Sequence, residues 1–211
     1  MHIYQEKSVK LKHIIMPHKS IITKEDRQQI NGHKSFILWF TGISGSGKSS
    51  LAYRLETILF GMGIRTYVLD GDNIRTGLNM DLGFSAEDRE ENIRRIGELA
   101  KLFVDAGTVV LTAFLSPYTK DRRMARNLVG QNEFFEIYVK CSLEVCEQRD
   151  VKGLYKMARM GTIKQFTAVE DPYEEPEHPE LIVETDKASL EQCVDQILNF
   201  LEMRKLITKA T

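Results

Sequence analysis

The sequence predicts an α/β fold, a parallel β-sheet with helices on both faces. Three observations carry that expectation. Short apolar, β-branched runs at 36–41, 64–69, 108–113, 134–140 and 181–184 alternate with segments of helical period. The first run feeds straight into a glycine-rich turn, GISGSGKS at 42–49, which opens a helix-like segment. A chain of 211 residues, 42% hydrophobic and 28% charged, suffices for one sizeable core and is short for two.

Residues 1–35 read as an N-terminal extension with one short helix around 24–30, and residues 36–211 as the single domain. The histidines His2, His13, His18 and His33 lack metal-ligand spacing and read as solvated surface. After the glycine-rich turn, Leu51, Leu55, Ile58 and Leu59 share one helix face, and Gly61 and Gly63 end it. The second strand closes on Asp70 and Asp72. A longer helix starts at Ser85, an N-cap followed by Glu87 and Asp88. It buries Ile93, Ile96, Ala100 and Phe103 and stops at Gly107. The last helix repeats the pattern with Leu190, Val194, Ile197 and Leu201. Residues 150–180 are polar, carry Pro172, Pro176 and Pro179, and read as a lid, about 150–175.

In such a sheet, ligands bind outside the carboxyl ends of the strands, where the glycine-rich turn falls. Gly42, Gly47, Lys48 and Ser49 fill the pattern G-x-x-x-x-G-K-[ST]. The backbone from Gly42 through Ile43, Ser44, Gly45, Ser46 and Gly47 can turn its N–H groups toward one phosphate. Lys48 reaches the β- and γ-phosphates, and the Ser49 hydroxyl ligates Mg²⁺. The fold is thus expected to be of the P-loop NTPase type, with a nucleoside triphosphate as ligand.

Composition narrows the partners. With 29 basic and 30 acidic residues the net charge is −1, so no basic surplus argues for nucleic acid or an anionic membrane. The leader contains no apolar stretch long enough for a signal peptide or a membrane span. Cys141, Cys146 and Cys193 are odd in number and show no C-x-x-C spacing, which reads as reduced thiols. The expected compartment is the cytoplasm.

Short GTPase-like patterns are present but misplaced. Thr23-Lys24-Glu25-Asp26 precedes the phosphate loop, and Asp150-Val151-Lys152-Gly153 has no guanine-reading partner after it. The strand at 108–113 ends in Phe114-Leu115-Ser116-Pro117, without the carboxylate of an ordinary ATPase. The acids Asp70 and Asp72 stand where a small-molecule kinase would orient an acceptor hydroxyl or support Mg²⁺. Close by, Arg75, Arg89 and Asn92 suit a second, anionic ligand, because guanidinium binds sulfate or phosphate bidentately. The competing reading makes Arg89 part of a solvated helix face paired with Asp88 or Glu91. Another small-molecule kinase, or a nucleotide-binding regulatory module without turnover, stays open at this point.

GISGSGKS, LDGDNIR, LGFS, DREENIRR, FLSPY, RDVKGLY and FTAVEDPYE follow one another at spacings that resemble the adenylylsulfate kinase family, from about Asn31 to the C-terminus. The resemblance implies transfer of the ATP γ-phosphate to the 3′-hydroxyl of adenylyl sulfate, with Mg²⁺, in sulfate activation, by a homodimer. It implies a catalytic set of Lys48, Asp72 and Ser116, with Ser116 aligned to a serine described as a phosphoserine intermediate. No histidine or lysine neighbours Ser116 in the sequence to activate it, so direct in-line transfer is expected instead. The resemblance assigns Arg149 to the ATP base. It assigns Asp70, Asp72, Arg75, Arg89, Asn92, Leu115 and Ser116 to adenylyl sulfate. Phe84 and Phe166 are expected to sandwich its adenine, and Lys152, Gly153 and Leu154 to close as the lid. Ser50, Leu115 and Ala168-Val169-Glu170 depart from the commoner Thr, Ile and Gly-Ile-Asp, the last within the lid.

Overall fold

Five parallel strands form one sheet in the order β2-β3-β1-β4-β5. They are β1 (Ile37–Thr41), β2 (Thr66–Asp70), β3 (Val109–Ala113), β4 (Phe134–Lys140) and β5 (Leu181–Glu184). The chain was described from a computed structural model, which covers residues 16, 18–163, 166–169 and 171–208. His2, His13 and Glu170 lie outside the described residues. β1 and β3 are buried along their whole length, as expected of parallel strands covered on both faces.

The helices are α1 (Lys24–Asn31), α2 (Lys48–Gly61), α3 (Gly71–Arg75), α4 (Ala86–Asp105), α5 (Thr119–Arg126), α6 (Leu143–Arg149), α7 (Leu154–Arg159) and α8 (Leu190–Met203). Leu51, Leu55 and Leu59 of α2 share one core with Val194, Ile197 and Leu201 of α8 and with Leu38 and Phe40 of β1. On the other face Ile93, Ile96 and Ala100 of α4 pack with Ile37 and Trp39. Alternate residues of β1 therefore serve opposite layers, which follows from the period of two in a strand.

Local signals set the helix ends. The Ser85 side chain accepts from Asp88 N, and Ser189 forms a capping box with Gln192. The misplaced Thr23-Lys24-Glu25-Asp26 pattern is also a capping box, starting α1. α1 docks on the domain through Lys24–Glu133 and Arg27–Asp105 ion pairs and an Asn31 bond to Gly107 O at 2.9 Å. His33 is likewise engaged, accepting from Arg65 N at 3.0 Å. Asp150 accepts from Tyr155 N and Lys156 N, so the second misplaced pattern is the start of α7. The lid carries a small core of its own: Tyr155, Ala158 and Phe166 pack with Cys141 and Cys146. Among the described residues no helix is long and apolar enough to cross a membrane.

Candidate active site

The phosphate loop leaves the carboxyl end of β1 and enters α2. Its shape demands glycine at two places. A Cβ on Gly42 would stand 2.4 Å from Val139 O, so the loop could not lie against β4. Gly47 has φ +95° and begins α2, and no side chain caps that helix. Its first-turn N–H groups are thus left to an anion. Lys48 curls back, donating to Gly42 O at 2.8 Å and Ile43 O at 2.7 Å. Burial lowers its ammonium to about 8, because a charge in that loop lacks water.

Ser49 Oγ donates to Asp70 Oδ2 at 2.6 Å. Asp70 is buried, and its other oxygen accepts from Asp72 N at 3.0 Å, starting α3. A hydroxyl and a buried carboxylate beside a phosphate loop are hard oxygen donors, the set Mg²⁺ takes. Asp72 itself faces outward, paired with Lys152 of the lid. Gly153, with φ +67°, and Leu154 follow at the start of α7.

The residues expected to take a second, anionic ligand gather around the turn between α3 and α4. Arg75 donates to the carbonyls of Leu82 and Gly83 at 3.0 and 2.9 Å, and its guanidinium lies 4.5 Å from the Phe84 ring centre. Burial and the nearby Arg89 charge both weaken its hold on its proton. Arg89 is buried rather than solvated. It donates to Phe84 O at 2.9 Å, bonds Thr167, and lies 3.8 Å from Asp171. Glu91, the partner the competing reading would give Arg89, instead binds Arg94 and Arg95, which hold its carboxyl down to about 2. Asn92 is buried and accepts from Asn79 Nδ2 at 2.9 Å. Phe166 is buried, edge-on to Tyr155 at 5.0 Å, whereas Phe84 is exposed. Arg89 connects them, since it holds Phe84 O on one side and Thr167 on the other.

Ser116 is fully buried. Its hydroxyl donates to Thr41 Oγ1 at 2.9 Å and accepts from Trp39 Nε1 at 3.0 Å. Leu115 beside it is half-buried. Arg149 lies behind the phosphate loop, donating to Thr185 O at 2.6 Å and, at 3.4 Å, to Gly45 O. Two residues near the loop escaped the sequence reading. Thr185 donates to Ser46 O at 2.8 Å, and Tyr155 OH donates to Ser44 O at 2.8 Å. Thr185 stands in none of the quoted motifs, and Tyr155 closes RDVKGLY without a role assigned to it there; each acts on the loop from more than a hundred residues away.

A phosphate loop, a hydroxyl–carboxylate pair and a cationic pocket at one sheet edge define a P-loop kinase. The sequence profile described as adenylylsulphate kinase matches residues 34–184. A probable adenylyl-sulfate kinase of Bacillus subtilis is 60% identical over 193 residues, 92% of this chain and 97% of that protein. The adenylyl-sulfate kinase of Acaryochloris marina is 59% identical over 190 residues, 90% and 93% of the two chains. A solved APS kinase of Mycobacterium tuberculosis, in complex with AMPPNP and APS, superposes with a TM-score of 0.77 at 43% identity. The match covers 81% of this chain and 99% of that one. The chain belongs to the adenylylsulphate kinase family, a family of phosphotransferases.

Proposed function

We propose that this chain transfers the γ-phosphate of ATP to the 3′-hydroxyl of adenylyl sulfate, giving ADP and 3′-phosphoadenylyl sulfate. The observation that carries the reading is the pairing of a phosphate loop with a second cationic pocket, Arg75 and Arg89, at the same sheet edge. The APS-bound relative of matching fold supports it.

The 42–49 loop would hold the ATP phosphates on its N–H groups, with Lys48 leaving its two carbonyl partners for the phosphates. Ser49 and Asp70 would hold Mg²⁺, which supplies positive charge to the phosphates when bound. Arg75, Arg89 and Asn92 would fix the phosphosulfate end, and Phe84 and Phe166 the adenine. Asp72, on the strand-end turn, would orient the 3′-hydroxyl and accept its proton, once Lys152 moves from the carboxylate to the nucleotides. Holding hydroxyl and phosphorus in line supplies much of the acceleration. Ser116 would form no bond to phosphorus, because its hydroxyl is buried and already committed to Thr41 and Trp39. Assembly as a homodimer follows the same resemblance, and sedimentation of the purified chain tests it.

The deciding experiment is ADP release from Mg·ATP with and without adenylyl sulfate, the product identified by mass. Strong stimulation, with a product one phosphoryl group heavier than the acceptor, is the expected result. Binding of both nucleotides without stimulation would leave only a regulatory module.

A further inference from the structure

Arg122, on α5, belongs to neither ligand's residues, yet it ties together four segments around the acceptor pocket. Its side chain is 3% exposed. Nε donates to Glu136 Oε1 on β4 at 2.6 Å, and Nη1 to Ser116 O at 2.7 Å. Nη2 donates to Glu174 O at 2.8 Å and to Thr119 Oγ1 at 3.2 Å. The guanidinium also lies 5.9 Å from the Tyr173 ring centre.

Glu136 is the anionic partner of Arg122, while Arg126, 3.5 Å from the other Glu136 oxygen, has Glu180 at 2.7 Å as well. The carbonyls of Ser116 and Glu174 are neutral, so those bonds serve geometry rather than neutralisation. They join the loop after β3 to the stretch returning from the lid. Further bonds make the same junction: Glu174 N to Pro117 O at 2.9 Å, and Thr119 N to Glu174 Oε2 at 2.6 Å. Tyr173 OH and Thr41 Oγ1 lie 2.9 Å apart, at the last residue before the phosphate loop. Tyr173 also walls a cavity of about 480 Å³ with Ile43 and Ala168. A few residues earlier, Thr167 and Asp171 meet Arg89. The segment returning from the lid is therefore anchored at one end to Arg89 and at the other to Arg122.

We propose that Arg122 is a positioning residue for the acceptor. It locks residues 173–174 to the 116–117 loop and thereby sets where Phe166 and Thr167 stand relative to Arg89. A planar fork serves Glu136 and two carbonyls at once, which an ammonium on a flexible stem cannot reproduce. The inference rests on the adenylyl sulfate reading of the pocket.

The test compares wild type with Arg122→Lys and Tyr173→Phe, by KM for each substrate and by tryptic cleavage of the lid at Lys152, Lys156 and Arg159. Arg122→Lys is expected to raise KM for adenylyl sulfate about tenfold while leaving KM for ATP within about twofold. Adenylyl sulfate should slow lid cleavage in wild type and fail to do so in Arg122→Lys. Equal rises in both KM values, a loss in kcat alone, or unchanged protection would overturn the proposal. If Arg122→Lys does not fold, Tyr173→Phe decides: about a threefold rise in KM for adenylyl sulfate alone supports it, and an unchanged KM overturns it. Wild type that releases no extra ADP with adenylyl sulfate sinks the functional reading and this proposal together. Active wild type with unaffected variants sinks this proposal only.

Discussion

The Ser49 hydroxyl on the first turn of α2 donates a 2.6 Å hydrogen bond to Asp70, the last residue of β2. Two residues 21 positions apart thus present paired oxygens directly beside the phosphate loop. Asp70→Ala is predicted to lower kcat by about 10²-fold and to raise the Mg²⁺ concentration needed for half-maximal rate. Rates across a Mg²⁺ titration check it, and an unchanged Mg²⁺ requirement would remove Asp70 from the metal's support.

Lys48 makes ATP binding pH-dependent. Burial lowers its pKa from 10.5 to about 8, so the ligand-free protein carries a neutral Lys48 above that pH. Phosphates bind the charged form, and ATP affinity is predicted to fall by roughly tenfold per pH unit above about 8, with proton uptake on binding. The stability effect has the opposite sense. The unfolded chain holds the proton up to about 10.5, so this group makes the fold relatively more stable as pH rises from about 8 to about 10.5. Calorimetry of ATP binding in buffers of different ionisation enthalpy checks the first claim, and Lys48→Met should abolish the proton uptake.

Ser116→Ala is predicted to keep turnover within about threefold of wild type while losing about 1–3 kcal/mol of stability, because the buried Trp39 N–H loses its acceptor. Thermal melting and steady-state rates separate the two effects. A complete loss of turnover, with a phosphoserine trapped in wild type, would replace direct transfer by a covalent route.

Arg75→Lys should behave as a loss rather than a conservative change. The guanidinium spans the carbonyls of Leu82 and Gly83 while lying over Phe84, a geometry an ammonium does not share. KM for adenylyl sulfate is predicted to rise at least tenfold, or about 1.4 kcal/mol, with KM for ATP little changed.

Ala168 has φ +71° in the tight turn where its N–H bonds Asp171 O at 2.7 Å. A side chain in that region costs roughly 1 kcal/mol. Ala168→Gly relieves the cost in the lid and is predicted to lower KM for adenylyl sulfate by about two- to fivefold. An unchanged or raised KM would show that the turn's rigidity matters more than its strain.

Much of the fold is legible in the chain because its signals are local. The strands at 134–140 and 181–184 match the structure residue for residue, and the other three differ by no more than two residues at an end. The phosphate loop is legible for the same reason: its glycines, lysine and serine must be neighbours to wrap one phosphate. The site beyond it is less so. Arg89 taken singly reads as a solvated helix residue near Asp88 and Glu91, and only its company with Arg75 beside DGDN favours a ligand. Packing overturns the solvated-face reading by giving Glu91 to Arg94 and Arg95 and burying Arg89 against Thr167.

By itself, then, the sequence determined the five strand segments, the helices α1, α2, α4 and α8, the phosphate loop and the membership of an ordered motif series. Each is written in neighbouring residues whose spacing mirrors a backbone period or a turn. The short helices α3, α5, α6 and α7 were not legible in the chain. Tertiary structure alone decided the β2-β3-β1-β4-β5 order, the Ser49–Asp70 pair, the engagement of Thr185 and Tyr155 with the loop, and the Arg122 junction. Those depend on which buried polar group finds which partner once water is excluded, and that choice is made across the sheet rather than along the chain.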